Sequence, residues 1–264
     1  MRDAQWRLIL DDECEPYWNM AADSAILDAV IQGAVPPTIR FYRWDSPAVT
    51  VGRFQDVNRG IDVAQCQERG IPIVRRPTGG RGILHGGDQT VSIVVPESVL
   101  GSAAISVAAS YRTLSEGFIA GLRLLGLRVE LGACEPVAGS AGDCFATRSR
   151  ADVIVAYDGS KLIGSAQRRK LGVILQQSSL RHFPAPMSAT EVFLGPTSES
   201  SYPLAAVSTL ELRDALSGGF REALGIQLAT APMSGAEIAE SRAICQTLRV
   251  AYTSSTLVDS GRTI

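Results

Sequence analysis

The chain has 264 residues, with 25 Lys and Arg residues against 27 Asp and Glu residues and a formal net charge of −2. That length is enough to bury a sizeable core as one large α/β domain. The near-neutral balance gives no general attraction to nucleic acid or to a membrane, so neither is expected as a partner. The sequence contains no apolar run long enough to span a bilayer, and its first residues lead into a strand-like segment without a signal-peptide pattern.

Five cysteines are scattered along the chain, and no two of them form a C-x-x-C pair. With only two histidines in the chain, the sequence predicts no metal site. We therefore expect a reduced, cytoplasmic protein. The cysteines are Cys14, Cys66, Cys134, Cys144 and Cys245.

A stretch rich in glycine and arginine, RRPTGGRGILH, runs from Arg75 to His85. β-Branched residues predict strands before it at 71–74 and after it at 90–95, which makes the stretch a loop between strands. Glycine lets backbone N–H groups approach a ligand, and arginine donates to phosphate or carboxylate. The stretch has neither the Gly-Lys-Ser/Thr ending of a P-loop nor the third glycine of a dinucleotide fingerprint. On residue types alone, a glycine-rich hairpin with solvated arginines explains it equally well.

Helices are predicted where apolar residues recur at helical spacing. Such a stripe runs from Tyr111 to Leu125, and Ser208 with Glu211 and Ser234 with Glu237 form capping boxes at the start of two later helices. We interpret these stripes as core. The polar residues from Tyr252 to Ile264 are expected to be loose.

A lysine opens the second notable stretch, KLIGSAQRR, which runs from Lys161 to Arg169. A strand is predicted at 151–156 and a turn at 157–160, so Lys161 begins the next strand among apolar and small residues. Burying an ammonium group is costly unless an anion meets it, which makes this lysine a candidate ligand-binding residue. The alternative is a lysine at a strand end with its head in water.

Cys144 lies in a loop-like segment with the basic residues Arg148 and Arg150 close behind it. Nearby cations favour the thiolate form of a cysteine, and a thiolate exchanges readily with an acyl thioester. The alternative is a loop cysteine without a role.

Taken together and in order, these segments resemble the lipoate–protein ligase and octanoyltransferase superfamily, over about residues 5 to 225. Members of that superfamily attach lipoyl or octanoyl groups to a lysine of a carrier domain. The segments that carry the resemblance, besides the two stretches above, are 19–23 (NMAAD), 40–44 (RFYRW), 47–55 (PAVTVGRFQ) and 175–180 (LQQSSL).

The resemblance implies an α/β (α+β) fold of the biotin/lipoate ligase type, with mixed, largely antiparallel sheets flanked by helices. It implies a catalytic domain over 1–225, followed by a short C-terminal helical extension and loose tail at 226–264. Cysteine octanoyltransferases of the superfamily carry their nucleophile in a Cys-Phe segment at about the place of Cys144.

The mechanism that this resemblance implies needs no cofactor. Cys144 takes an octanoyl group from acyl carrier protein and passes it to a lysine of a lipoyl domain or of the glycine-cleavage H protein. Lys161 stabilises the acyl carbonyl, and the arginines border the entrance where an acidic partner would lie. The residues expected to contact substrate are Arg75, Arg76, Thr78, Gly79, Gly80, Arg81, His85, Gly164, Ser165 and Ala166.

Three features bear on the choice between a transferase and an ATP-dependent ligase, and together they favour a transferase. The segment 146–152 is more basic than its counterpart in the cysteine transferases, and Gly86 and Gly87 separate His85 from the acidic Asp88, which ligases place directly after that histidine. The roughly forty residues after 225 are too few for the accessory domain of long ligases.

Three functions stay open at this point. An octanoyltransferase is favoured; a lipoate–protein ligase, which would use ATP and Mg²⁺ to form a lipoyl-adenylate, is the alternative; a non-catalytic protein that binds lipoyl carriers is the third. A biotin ligase is disfavoured because no Gly-Arg-Gly-Arg-x-Gly loop is present. ATP separates these functions, since only a ligase needs it.

Overall fold

The computed structural model describes most of the chain. Cys134, Arg148 and Arg150 lie outside the described residues, as does the end of the expected tail. Side chains are not described for Ala103 or for 251–259. The described residues are 4–104, 106–132, 142–146, 152–197 and 201–259.

The described residues form strands and helices that are spread over the whole described chain. The strands are β1 (Ala4–Cys14), β2 (Thr38–Trp44), β3 (Ala48–Val51), β4 (Ile73–Arg75), β5 (Ile83–His85), β6 (Asp88–Pro96), β7 (Val129–Leu131), β8 (Val153–Val155), β9 (Lys161–Lys170), β10 (Val173–Arg181) and β11 (Ile226–Thr230). The helices are α1 (Pro16–Ile31), α2 (Val63–Glu68), α3 (Glu97–Leu100), α4 (Val107–Leu124), α5 (Thr209–Leu224) and α6 (Gly235–Asp259), with short 3₁₀ turns at Gly101–Ala104 and Ala189–Glu191.

Two sheets organise the fold. The larger has eight strands in the order β11-β1-β2-β6-β10-β9-β8-β7, and the smaller has the order β4-β3-β5. In the larger sheet β1 runs parallel to both β2 and β11, while every other neighbouring pair is antiparallel. This arrangement confirms the predicted mixed, largely antiparallel architecture. It places the glycine-rich loop between β4 and β5, next to β9 and β10 of the larger sheet.

One face of the larger sheet packs against α4 and α5. Phe118 of α4 and Phe220 of α5 meet edge to face with ring centroids 4.9 Å apart, in a core that includes Ile93 of β6. The two helices can approach closely because Gly121 and Gly219 have no side chains at the crossing. A Cβ on Gly219 would lie 2.2 Å from the backbone nitrogen of Gly121. The apolar stripe and the capping box at Ser208 are thus confirmed as core-forming elements.

The opposite face of the sheet packs against α1, and α6 packs across α1 in turn. The buried Arg7 of β1 pairs with Glu237 of α6 at 2.6 Å, and Ser234 and Glu237 form the predicted reciprocal cap. The helix continues to Asp259, so most of the expected loose tail is helical. Among the described residues no helix combines the length and apolar character needed to cross a membrane.

Candidate functional site

The cysteine segment and the glycine-rich loop are bound to each other through their backbones. Gly82 N–H donates to the carbonyl of Gly142 at 2.9 Å, and Cys144 N–H donates to the carbonyl of Gly82 at 2.8 Å. Gly142 must be a glycine in this arrangement, because a Cβ there would lie 1.9 Å from the carbonyl oxygen of Gly60. These contacts fix the position of Cys144 relative to the loop.

Lys161 and Cys144 meet at the start of β9. Nζ of Lys161 donates to the backbone carbonyl of Cys144 at 2.9 Å and lies 3.5 Å from its Sγ. The same Nζ pairs with Oδ1 of Asp152 at 3.1 Å, and both side chains of that pair are almost fully buried. An ammonium has three N–H donors, and these three acceptors match them. The alternative interpretation, in which the ammonium group of Lys161 lies in water at a strand end, is therefore wrong.

The pKa of Lys161 is raised above its ordinary value. Burial alone would lower it, but the interactions of the ammonium with Cys144 and with the carboxylate of Asp152 together outweigh burial. Lys161 therefore carries its charge near neutral pH.

Gly164 faces this pair from within β9. A Cβ at Gly164 would lie 3.2 Å from Cε of Lys161 and 3.5 Å from Sγ of Cys144. The missing side chain leaves space immediately beside the sulfur and the ammonium group. A group bonded to Sγ can occupy that space.

A narrow slot leads from Cys144 into the interior, between β9, β10 and the small sheet. Its free volume is about 30 Å³, so an acyl chain enters only if side chains of the wall move apart. Met20 is flexible and lies in this wall, which suits such an adjustment. The predicted residues Arg76, Gly80, His85, Gly164, Ser165 and Ala166 all line the slot, together with Tyr42, Trp44, Gln177 and Ser179.

His85 is held by hydrogen bonds on both ring nitrogens. Nδ1 lies 2.8 Å from Oδ2 of Asp88, Nε2 lies 2.8 Å from Oγ1 of Thr50, and the ring stacks on Trp44 at 3.9 Å. Burial would raise the pKa of Asp88, but His85 and hydrogen bonds from Ser179 and other hydroxyls outweigh burial and lower it to about 2. The ionised carboxylate accepts, so Nδ1 donates and, in the neutral ring, Nε2 accepts from Thr50. His85 is thus a packed wall residue of the slot, with both ring nitrogens hydrogen-bonded.

Arg76 shapes the glycine-rich loop from inside. Its guanidinium is buried and donates to the carbonyls of Gly79 at 2.6 Å, Arg81 at 2.7 Å and Thr50 at 3.2 Å. Gly80 has φ +89°, a conformation that favours glycine, and a Cβ there would lie 2.7 Å from Nη2 of Arg76. The expectation that Arg76 borders the entrance and meets an acidic partner is therefore corrected: buried among carbonyls, it cannot reach one.

Four other predicted contact residues lie outside the slot wall. Arg75 donates to the carbonyls of the turn at 52–55, and Thr78 donates to Oε1 of Gln177 at 2.7 Å. Gly79 and Arg81 contribute the carbonyls that Arg76 binds. These contacts hold the loop in shape, and contact of these four residues with substrate stays a prediction.

The basic cluster at the end of β9 is mostly paired within the chain. Arg169 binds Glu97 at 3.0 Å and also donates to the carbonyls of Ala104 and Ser106, and Lys170 pairs with Asp28. These pairs tie the end of β9 to α3, α4 and α1.

Sequence reasoning missed Asp152, Asp88 and a polar network beneath the slot. Asp23 of α1 binds Arg40 at 3.0 Å, Gln177 at 2.7 Å and the hydroxyl of Tyr42 at 2.9 Å, all of them buried. The available signal for Asp152 was an acidic residue directly before an apolar strand, since a buried carboxylate needs a cation.

A second, larger cavity of about 380 Å³ lies beside Cys144. Asp143 and Phe145, its two chain neighbours, line this cavity, and Ser179 lines both cavities. Phe145 is contacted by two cations, Arg181 at 4.0 Å and Lys161 at 5.4 Å from the ring centroid. Within the described part of the chain, no cluster of His, Cys, Asp and Glu side chains is arranged to hold a metal ion.

Proteins named as octanoyltransferases resemble this chain over 66% to 94% of its length. It is 37% identical over 269 residues to the octanoyltransferase LipM of Kyrpidia tusciae, a match that covers 94% of this chain and 96% of that protein. It is 40% identical over 182 residues to the octanoyltransferase LipM of Geobacillus kaustophilus, covering 66% of this chain and 64% of that protein.

Two solved structures that share this fold are described as lipoate protein ligases. A putative lipoate protein ligase from T. acidophilum with bound lipoic acid superposes with a TM-score of 0.74 at 25% identity, covering 94% of this chain and 96% of that one. A lipoate-protein ligase A bound with ATP gives 0.76 at 25% identity, covering 93% and 95%. The family model for the lipoyl protein ligase A/B catalytic domain matches residues 15–198. This protein therefore belongs to the lipoyl protein ligase A/B catalytic domain family.

Proposed function

We propose that this enzyme is an octanoyltransferase of protein lipoylation that carries the octanoyl group as a thioester on Cys144. The observation that carries the proposal is the 3.5 Å approach of Lys161 Nζ to Cys144 Sγ at the mouth of the slot. The octanoyltransferase LipM of Kyrpidia tusciae, which aligns over 94% of this chain, supports the same reaction class. The proposed donor is octanoyl-acyl carrier protein, and the proposed acceptor is a lysine of a lipoyl domain or of the glycine-cleavage H protein.

In the first half-reaction the Cys144 thiolate attacks the carbonyl carbon of the donor thioester. The new C–S bond forms on Sγ, the bond to the carrier sulfur breaks, and that sulfur leaves as a thiolate that takes up a proton. Bond types are conserved because one thioester replaces another. The reaction therefore needs neither ATP nor a metal ion.

Lys161 is proposed to stabilise the negative charge that develops on the carbonyl oxygen. The N–H that faces Sγ lies close to where this oxygen must be once the C–S bond forms, and Gly164 leaves the space for it. Asp152 and the carbonyl of Cys144 hold the ammonium in place through its other donors. A preorganised donor of this kind contributes about 10²–10³-fold in rate.

In the second half-reaction the neutral amine of the acceptor lysine attacks the octanoyl-Cys144 carbonyl. An amide bond forms, the C–S bond breaks, the amine loses a proton and Cys144 regains its thiol. The amide is more stable than the thioester, so this step runs forward. The His85 ring nitrogens are already bound to Thr50 and Asp88, so His85 is not assigned the proton transfer.

The runner-up is the ATP-dependent ligase, which the fold of the ligase structures allows. In that case the same slot would hold a lipoyl-adenylate and Cys144 would be incidental. We propose that no cofactor is required, and the discriminating assay supplies octanoate or lipoate with ATP and Mg²⁺ in one reaction and octanoyl-acyl carrier protein without ATP in another.

The direct test is to incubate the protein with octanoyl-acyl carrier protein alone and measure its intact mass. We expect a mass increase of one octanoyl group that hydroxylamine removes, and its loss in Cys144→Ser. Cys66→Ser is the matched control, because Cys66 is fully buried away from the site and should leave the adduct intact. An adduct on Cys134, or transfer without any adduct, would refute the assignment of Cys144.

A further inference from the structure

The larger cavity begins where the acyl slot ends. Cys144 lines the slot, its neighbours Asp143 and Phe145 line the cavity, and Ser179 belongs to both walls. A substrate with its reactive carbon at Sγ and its acyl chain in the slot must hold the rest of the molecule outside the slot. The cavity is the space next to the slot that can hold this part.

A thioester donor has two substituents on its carbonyl carbon, the acyl chain and the sulfur of the carrier. The sulfur must point away from the acyl chain, because the substituents of a trigonal carbon diverge. With the chain in the slot, the carrier sulfur and the arm that bears it are directed toward the cavity. The free volume of about 380 Å³ there exceeds the roughly 300 Å³ at which small-molecule sites begin.

We propose that this cavity receives the pantetheine arm of the acyl donor. The proposal rests on the proposed function, since it assumes that Cys144 is acylated by a thioester. The arm enters as octanoyl-S-pantetheine; the octanoyl group moves to Sγ, and the arm leaves as a free thiol.

The chemistry of the wall fits an uncharged arm. Its carboxylates are already engaged, Asp88 by His85 and Asp143 by the N–H of Phe145. The wall also carries the hydroxyls of Tyr202 and of Ser188, which accepts from the N–H of Thr190. Hydroxyl groups can bind the two amides of pantetheine, as apolar side chains can pack against its methyl groups.

A nucleotide fits this wall less well. The one cation among its described residues is Arg181, which lies over Phe145 and in the field of Asp143. Phosphate groups are normally bound by several donors of fixed charge or by exposed backbone N–H groups. The cavity therefore favours a pantetheine arm over an adenylate.

The test narrows the cavity and compares donors with and without the arm. Ala185 lines the cavity and is partly exposed, so Ala185→Phe reduces its volume without disturbing the core. Ala64→Phe is the control, because Ala64 is exposed on α2 and lines neither cavity. The probes are octanoyl-pantetheine and the octanoyl thioester of mercaptoethanol, and the readout is the rate of Cys144 acylation in a single turnover.

We expect Ala185→Phe to lower kcat/KM for octanoyl-pantetheine by about tenfold or more, the effect of losing one well-fitted contact region. In Ala185→Phe, kcat/KM for the mercaptoethanol thioester should change by less than about twofold. In the control Ala64→Phe, kcat/KM for both donors should also change by less than about twofold. Octanoyl-coenzyme A and octanoyl-acyl carrier protein carry the same arm and should lose activity in parallel. The one with the higher wild-type kcat/KM is then the source of the arm.

Two results would overturn the proposal. Equal losses for donors with and without the arm would mean that Ala185 affects the reacting atoms. Unchanged acylation with slower transfer from a preformed octanoyl-enzyme would mean that the cavity receives the acceptor lysine instead. If the wild-type protein forms no adduct with either donor, the proposed function itself fails, which separates that failure from failure of the cavity assignment. Thr190→Phe, from another position in the wall, repeats the test if Ala185→Phe does not fold.

Discussion

Replacing Lys161 should damage both stability and catalysis, by amounts that the structure separates. In Lys161→Ala the carboxylate of Asp152 loses a partner at 3.1 Å while it stays almost fully buried. Breaking a buried pair on one side costs about 3–5 kcal/mol of the free energy of unfolding. Since small domains have only about 5–15 kcal/mol in total, a loss of activity in this variant alone could reflect unfolding.

The double variant Lys161→Met with Asp152→Asn resolves this ambiguity. It removes both charges together and keeps a linear side chain in place of the lysine, so we expect it to recover most of the lost stability. The developing oxyanion still lacks its donor, so Cys144 acylation should stay about 10²–10³-fold below the wild-type rate. Lys161→Arg should also fail, because a planar guanidinium does not reproduce the compact ammonium that meets Asp152, the Cys144 carbonyl and Sγ from one point.

The assay measures urea unfolding and single-turnover acylation on the same preparations. We expect the double variant to be stable but slow in Cys144 acylation. We expect Lys161→Ala to be less stable and to be acylated equally slowly per folded molecule. A double variant that folds and acylates within about threefold of the wild type would refute the role of Lys161 as an oxyanion donor.

Further predictions test the other parts of the site. Gly164→Ala should leave the free energy of unfolding within about 1 kcal/mol of wild type but slow acylation by about 10²-fold, because the methyl group enters the space beside Sγ; an active variant would show that this space is not used. Gly80→Ala should lower the free energy of unfolding by about 1–2 kcal/mol because residue 80 has a φ of +89°. In the control Gly79→Ala the added methyl group meets no atom within 4 Å, so this variant should lose less than about 0.5 kcal/mol. Equal losses for the two variants in urea unfolding would contradict the loop geometry. Asp88 has a pKa of about 2, below its ordinary 3.8, so its ionisation contributes about 2 kcal/mol to the free energy of unfolding. This contribution is fully present above pH 3.8 and is lost as the pH falls through 2. Asp88→Asn should therefore be less stable than wild type at pH 7 by about that amount, with a difference that shrinks toward pH 2; a difference independent of pH would mean that packing, not charge, is responsible.

Local features of the fold could be predicted from the sequence because their causes are local. The turn at 157–160 and the β-branched residues around it place Lys161 at the start of β9, and the helix caps at Ser208 and Ser234 depend only on residues three positions away. The strand β5 was missed because it has only three residues, Ile83–His85, and exists through its pairing with β3.

The site itself depends on contacts between distant segments, which no local pattern encodes. The sequence suggested that Cys144 and Lys161 act together, through a family resemblance, but the partner of Lys161 in the fold includes Asp152, which was not identified. Arg76 was expected at the entrance beside an acidic partner; instead, the carbonyls of a tight glycine loop satisfy its donors and make its burial possible. Arg169 and Lys170 likewise form pairs with α3 and α1 that the sequence could not show.

The most direct test of the account is whether the octanoyl-enzyme is a competent intermediate. The protein is acylated, freed of donor by gel filtration and mixed with a lipoyl domain in the absence of ATP, and the masses of both proteins are followed in time. The account predicts that the octanoyl group leaves Cys144 and appears on the acceptor lysine at least as fast as steady-state turnover. An octanoyl-enzyme that is inert, or that transfers more slowly than turnover, would contradict it.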